Sequence, residues 1–122
     1  MSKPLRFSDL SPARQALVRL CQTMNFGSIR KLEIRDGQPV FDPPPLVLVD
    51  VKLDGGDPPR PETDLTDFEL TQEVVRLLER LDDRAKTAIE VLEVRAGIPR
   101  WLVFRASAPP TLVVGDSVGG AA

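Results

Sequence analysis

Leu32-Glu33-Ile34-Arg35-Asp36-Gly37-Gln38-Pro39 is the stretch on which the fold turns, because the chain writes it twice. Sixty positions later it reads Leu92-Glu93-Val94-Arg95-Ala96-Gly97-Ile98-Pro99. Each copy follows an apolar-periodic segment, marked by Val18-Arg19-Leu20 and then by Val75-Arg76-Leu77. Two helix-plus-hairpin units are therefore expected. Asp36-Gly37 is a strong turn signal, since a type I′ reversal needs positive φ at both central residues. Ala96-Gly97 is weaker, because Ala at positive φ is strained, and a type II′ turn or a bulged loop is the alternative. With two-residue loops, Ile34 faces Pro39 and Leu32 faces Phe41, while Val94 faces Pro99 and Leu92 faces Trp101. Side chains alternate across a strand, so each set of four shares one side, with an aromatic at the matching place.

The flanking segments fit that frame. Ser11-Pro12 opens a first helix with an N-cap hydroxyl and a proline at the first helical position. Ala13, Leu17, Leu20, Cys21 and Met24 form its apolar stripe, and Gly27 is expected to supply a left-handed residue after it. Thr66-Asp67-Phe68-Glu69 reads as a capping box, with Leu65 and Leu70 as its hydrophobic staple. Leu70, Val74, Leu77, Leu78 and Leu81 make the second stripe, ending near Asp83. Between the units, Asp42-Pro43-Pro44-Pro45 interrupts pairing. Leu46 to Leu53 reads as a third strand, covered on both sides at its start, with no counterpart in the second unit. The expected fold is α+β: two α-β-β repeats (about 11–53 and 65–105) plus one extra strand. They should build a mainly antiparallel sheet of about five strands with both helices on one face. Residues 1–105 form one domain in this reading, and 106–122 a disordered tail.

Composition bounds the chemistry. The chain has 122 residues, enough for one domain. It has no histidine, which removes the commonest general base and metal ligand. Cys21 is alone, so no zinc ribbon, CxxC redox pair or internal disulfide forms. A buried structural thiol in a reducing cytoplasm is the expected reading. Residues 54–64 are rich in Gly, Pro and acids, but their spacing is not that of an EF-hand. No phosphate-cradling glycine motif appears. The N-terminal residues lack the apolar core of a secretory signal, and no run approaches the length a spanning helix needs. No enzyme, cofactor, metal site or membrane partner is expected.

What is left is surface. The balance of charge is +4 over residues 1–41, −8 over 42–83 and +3 over 84–105. On regular hairpins Ile89, Val91, Leu102 and Phe104 face outward, away from the helices. A two-stranded hairpin cannot hide both faces from water, so the third strand's loop, the tail or another protomer covers this set. With self-association favoured, it is the candidate partner surface. The partner is a second copy of the chain, giving a homodimer, or another protein. The alternative is nucleic-acid binding through Lys31, Arg35, Arg95, Arg100 and Arg105. That reading lacks interleaved exposed aromatics, and the acidic middle repels phosphates.

The helix, then Phe26-Gly27-Ser28-Ile29, then Leu32-Glu33-Ile34-Arg35-Asp36-Gly37-Gln38-Pro39-Val40, is similar to the small bacterial YezD-like proteins. The resemblance covers about residues 13–41 and, more faintly, 72–104. It departs in the second unit, where Lys86-Thr87-Ala88 replaces the Gly-Ser opening and Ala96 replaces the turn Asp. The resemblance implies a helix followed by a hairpin and a bacterial origin, and it implies no activity.

Overall fold

The structure is a computed structural model and describes residues 5–55, 58–83 and 86–106. Two helices, α1 (Pro12–Met24) and α2 (Gln72–Leu81), pack on one face of a five-stranded sheet. Its strands are β1 (Gly27–Arg35), β2 (Gln38–Val40), β3 (Leu46–Val49), β4 (Lys86–Arg95) and β5 (Ile98–Ala106). The fold is α+β, and every strand pair is antiparallel. The order is β2-β1-β4-β5, with β3 also on β1. β2 pairs with the end of β1 and β3 with its beginning, so these two short strands share one edge.

That edge shows what the third strand is. β5 pairs along most of β4, and β2 with β3 do the same for β1. The prolines after Phe41, with a cis Asp42-Pro43 bond, interrupt what is one continuous strand in the second unit. The expected unmatched strand therefore has a counterpart, the distal half of β5. β3 is also shorter than expected and exposes Leu46, Leu48 and Val49, so it is not covered on both sides.

The two units meet along β1 and β4. Gly27 faces Val94 and Glu33 faces Ala88, so the pairing centres on Arg30-Lys31 and Glu90-Val91. Ile29, Leu32 and Ile34 of β1 point into the core, and so do Ile89, Leu92 and Val94 of β4. The three-residue step from Ile29 to Leu32, and from Ile89 to Leu92, breaks the alternation of a regular strand. Lys31 takes a φ of 58° at that point. β4 slips against β5 between Ile89 and Val91. Such bulges insert one residue and reverse the faces beyond it.

Both hairpins turn tightly. Asp36 and Gly37 have φ of 53° and 76°, and Ala96 and Gly97 have 54° and 75°. Ala96 thus accepts the left-handed conformation directly, in place of the type II′ or bulged alternatives. The positive-φ residue that directly ends α1 is Asn25, at φ 63°, and Gly27, at φ 153°, follows two residues later.

The second helix begins later than its local pattern suggests. Thr71, not Thr66, is its N-cap, and the Thr71 hydroxyl accepts from the Val74 amide at 3.3 Å. Residues 65–70 are instead drawn out by the N-terminal segment. The Phe7 amide donates to the Phe68 carbonyl at 2.9 Å, and the Leu70 amide to the Leu5 carbonyl at 3.0 Å. Phe7 stacks on Phe68 at 4.9 Å, with the Arg19 guanidinium over both rings. Asp67, read above as part of the box, accepts from Arg6 Nε and the Ser8 amide, each at 2.9 Å. Burial of two stacked aromatics outweighs a single capping interaction, because each ring removes far more apolar area from water. Thr71→Ala is expected to cost about 1 kcal/mol in denaturant unfolding, and Thr66→Ala less than about 0.5 kcal/mol. The reverse ranking would move the helix start.

The same strap carries a pH dependence. The Arg6 guanidinium, and then the Ser8 amide, hold the Asp67 carboxyl down at about 2. Its folded value is depressed, so its contribution is present above the unfolded value of about 3.9. It is lost as pH falls through about 2. The stability difference between the wild type and Asp67→Asn should therefore be largest above about pH 4 and vanish below about pH 2. A difference that does not change across that window would show that the strap does not hold Asp67.

Candidate interaction surface

Cross-strand partners share a face, so the ladders define what the side opposite the helices presents. One row runs Leu48, Ser28, Glu93, Trp101 across β3, β1, β4 and β5. The next runs Leu46, Arg30, Val91, Val103. Each row is apolar at both ends, and the middle holds Ser28, Glu93 and Arg30 with one apolar residue, Val91. Those ends are exposed: Leu46 is 51% and Leu48 41% accessible, Trp101 64% and Val103 43%. No described element covers this face.

The expected partner set is only partly on it. Val91 lies there, half-buried. Ile89 does not: it is 0% accessible, at the centre of the core. Leu102 and Phe104 are partly buried against the same core. Trp101, expected to be buried opposite Leu92, is exposed opposite Glu93 instead. The slip at Glu90 turns Ile89 inward, and a second irregularity explains the other three. Val94 pairs with Pro99 but Glu93 pairs with Trp101, so Arg100 is an extra residue in β5. That bulge turns Trp101 and Val103 outward and Leu102 and Phe104 inward. Phe41, the expected match for Trp101, packs against the core, so the two aromatics sit in different surroundings.

The basic set is largely neutralised. Arg35 lies 3.9 Å from Glu33 and Arg95 3.5 Å from Glu93. Arg105 lies 2.5 Å from Glu90, and Arg100 2.9 Å from Glu73 of α2. Lys31 is exposed at the β1 bulge. Glu33 and Glu93 each serve the arginine two residues on, so they form no carboxylate pair. Exposed ion pairs add little stability, but they cancel the field that would attract a phosphate backbone.

Where α2 lies over β5 the bulge leaves a hollow of about 260 Å³. Leu77, Leu92 and Leu102 line it, with Arg76 and Arg80 from α2 and Arg100 and Trp101 from β5. A second depression, on the open face, shares Arg100 and Trp101, with Glu93 and Arg95. Trp101 is thus the ridge between the two. Sequence periodicity could not place it there, because nothing local marks Arg100 as the inserted residue.

Cys21 is buried in the core and its thiol is pushed up to about 12 by desolvation. A thiol so held is protonated at neutral pH and packs as an apolar group. No helix among the described residues is long and apolar enough to cross a membrane. No protein-family model, curated protein or solved structure matches the chain.

Proposed function

We propose that this is a non-catalytic interaction or regulatory module that associates with a second copy of itself through the open face of its sheet. The observation that carries the reading is the pair of apolar row ends, Leu46 and Leu48 on one edge and Trp101 and Val103 on the other. Exposed apolar residues gathered on an unpaired sheet edge favour pairing with another chain. The polar centre, Ser28, Arg30 and Glu93, supplies register without closing the face to a partner. The lone buried thiol and the bacterial resemblance of residues 13–41 support a bacterial cytoplasmic setting for this module.

Sedimentation velocity tests the reading. The wild type is expected to sediment as a dimer at tens of micromolar. Leu48→Lys and Val103→Lys lie at exposed positions and should release folded monomers. A wild type that stays monomeric at high concentration, or a dimer indifferent to both substitutions, would overturn it. Nucleic-acid binding through Lys31, Arg35, Arg95, Arg100 and Arg105 has less support, since four of these five cations face a carboxylate.

A further inference from the structure

The hollow beside β5 differs from the open face in charge and in shape. It is bounded by Glu73, Arg76, Leu77 and Arg80 on one side of α2 and by residues 99–102 of β5 on the other. Glu73 is its one carboxylate, and it is already tied to Arg100 at 2.9 Å. No ion pair joins Arg76 or Arg80 to a carboxylate among the described residues. The site therefore has an apolar floor of leucines and an uncompensated cationic rim.

β5 is also the last strand of the sheet, and no described strand pairs with its outer side. Among the described residues no strand takes up the backbone N–H and C=O groups along that side, and a helix stands beside them. From residue 73 to residue 80 the helix rises about 10 Å, the length of about three extended residues. A strand added here makes main-chain hydrogen bonds to β5 while its side chains meet the helix. The charge of the rim decides which strand.

On the reading of the chain as an interaction module, the geometry points to the α2–β5 groove as a docking site for an extended acidic peptide segment of a partner protein, added as a strand on the free edge of β5. Carboxylates of the segment reach Arg76 and Arg80. An apolar residue between them covers Leu77 and Leu102. Trp101 closes the outer wall. Charge-assisted hydrogen bonds from two guanidiniums that no carboxylate among the described residues neutralises supply the selectivity.

Trp101 is the only tryptophan in the chain, so its emission reports on the groove without a label. The probe is a blocked hexapeptide of alternating Asp and Leu. Its controls are the same peptide with Lys for Asp, and the Asp-Leu peptide N-methylated at alternate amides. The expected result is a saturable shift of Trp101 emission with the acidic peptide alone. The double variant Arg76→Gln, Arg80→Gln should weaken it by about tenfold or more, with circular dichroism unchanged. Equal binding of the Lys peptide would overturn the charge assignment, and equal binding of the N-methylated peptide would overturn strand addition. No shift at millimolar peptide overturns the proposal as a whole. So does a wild-type dimer that the double arginine variant dissolves, since a second copy then fills the groove. Failure of the peptide alongside a dimer sensitive to Leu48→Lys would leave the open-face reading standing.

Discussion

Ile89→Ala is expected to lower the unfolding free energy by about 2–5 kcal/mol, a large share of the ~5–15 kcal/mol typical of a domain. Ile89 is fully enclosed, paired with Leu32 across one ladder and with Phe104 across the other. Removing its side chain leaves a cavity between both hairpins and the helix layer, where neighbours on three elements cannot all close in. Val103→Ala, one strand away on the open face, should change stability by less than about 0.5 kcal/mol. Urea unfolding of both variants measures the contrast. A regular, unbulged hairpin predicts the opposite order, because there Ile89 faces solvent. The result therefore reports on which face β4 shows to the helices as well as on packing.

Gly27→Ala should cost about 1–3 kcal/mol or more by overpacking, and should act on one edge of the sheet. A Cβ at Gly27 would lie 2.0 Å from the Leu48 carbonyl oxygen, and the residue's φ is 153°. The obstructing atom is backbone, so no rotamer change relieves the clash. β3 must move off β1, uncovering Ile29, over which Val47 packs. Amide exchange should then rise at Leu48 and at Asp50, whose amide donates to Phe26 at 2.8 Å. Protection along β4 and β5 should persist. Unchanged stability and unchanged exchange would mean that β3 does not close on Gly27.

Much of this architecture is legible before any coordinates. The helix stripes from Leu17 to Met24 and from Val74 to Leu81 repeat at the helical period, and both sets are buried or packed on the core. Asp36-Gly37 marks its turn because few residues tolerate positive φ twice in succession. The misreadings have two physical sources. A bulge adds one residue without a sequence signature of its own, and every side chain beyond it changes face. Lys31, Glu90 and Arg100 are ordinary strand residues, yet the irregularities beside them decide where Ile29, Ile89 and Trp101 go. The other source is competition between local and distant partners. Thr66 to Glu69 satisfies every local rule for a helix start, but Phe68 is claimed by Phe7 and Asp67 by Arg6, some sixty residues away in sequence. The groove lay beyond reach for the first reason. Its arginines could be counted, but their convergence on Trp101 depends on the inserted Arg100.

Ile29, Leu32 and Ile34 of β1 face inward, and so do Ile89, Leu92 and Val94 of β4, sixty positions on. The correspondence ends at Phe41 and Trp101. The second unit carries the extra residue at Arg100, and the first carries the proline break instead. The units thus share a core face and differ at their outer edges, where the open surface and the groove lie.

Thiol reactivity along β5 tests the face assignment most directly. Cys21 is buried with its thiol pushed up to about 12, so the parent chain should be silent to a maleimide under native conditions. Single substitutions Trp101→Cys, Leu102→Cys, Val103→Cys and Phe104→Cys then read the strand one residue at a time. Fast labelling at 101 and 103, with slow labelling at 102 and 104, is the predicted pattern at protein concentrations low enough that the open faces are unpaired. Fast labelling at 102 and 104 instead would return Leu102 and Phe104 to the open face, and both the interaction surface and the groove described above would be lost.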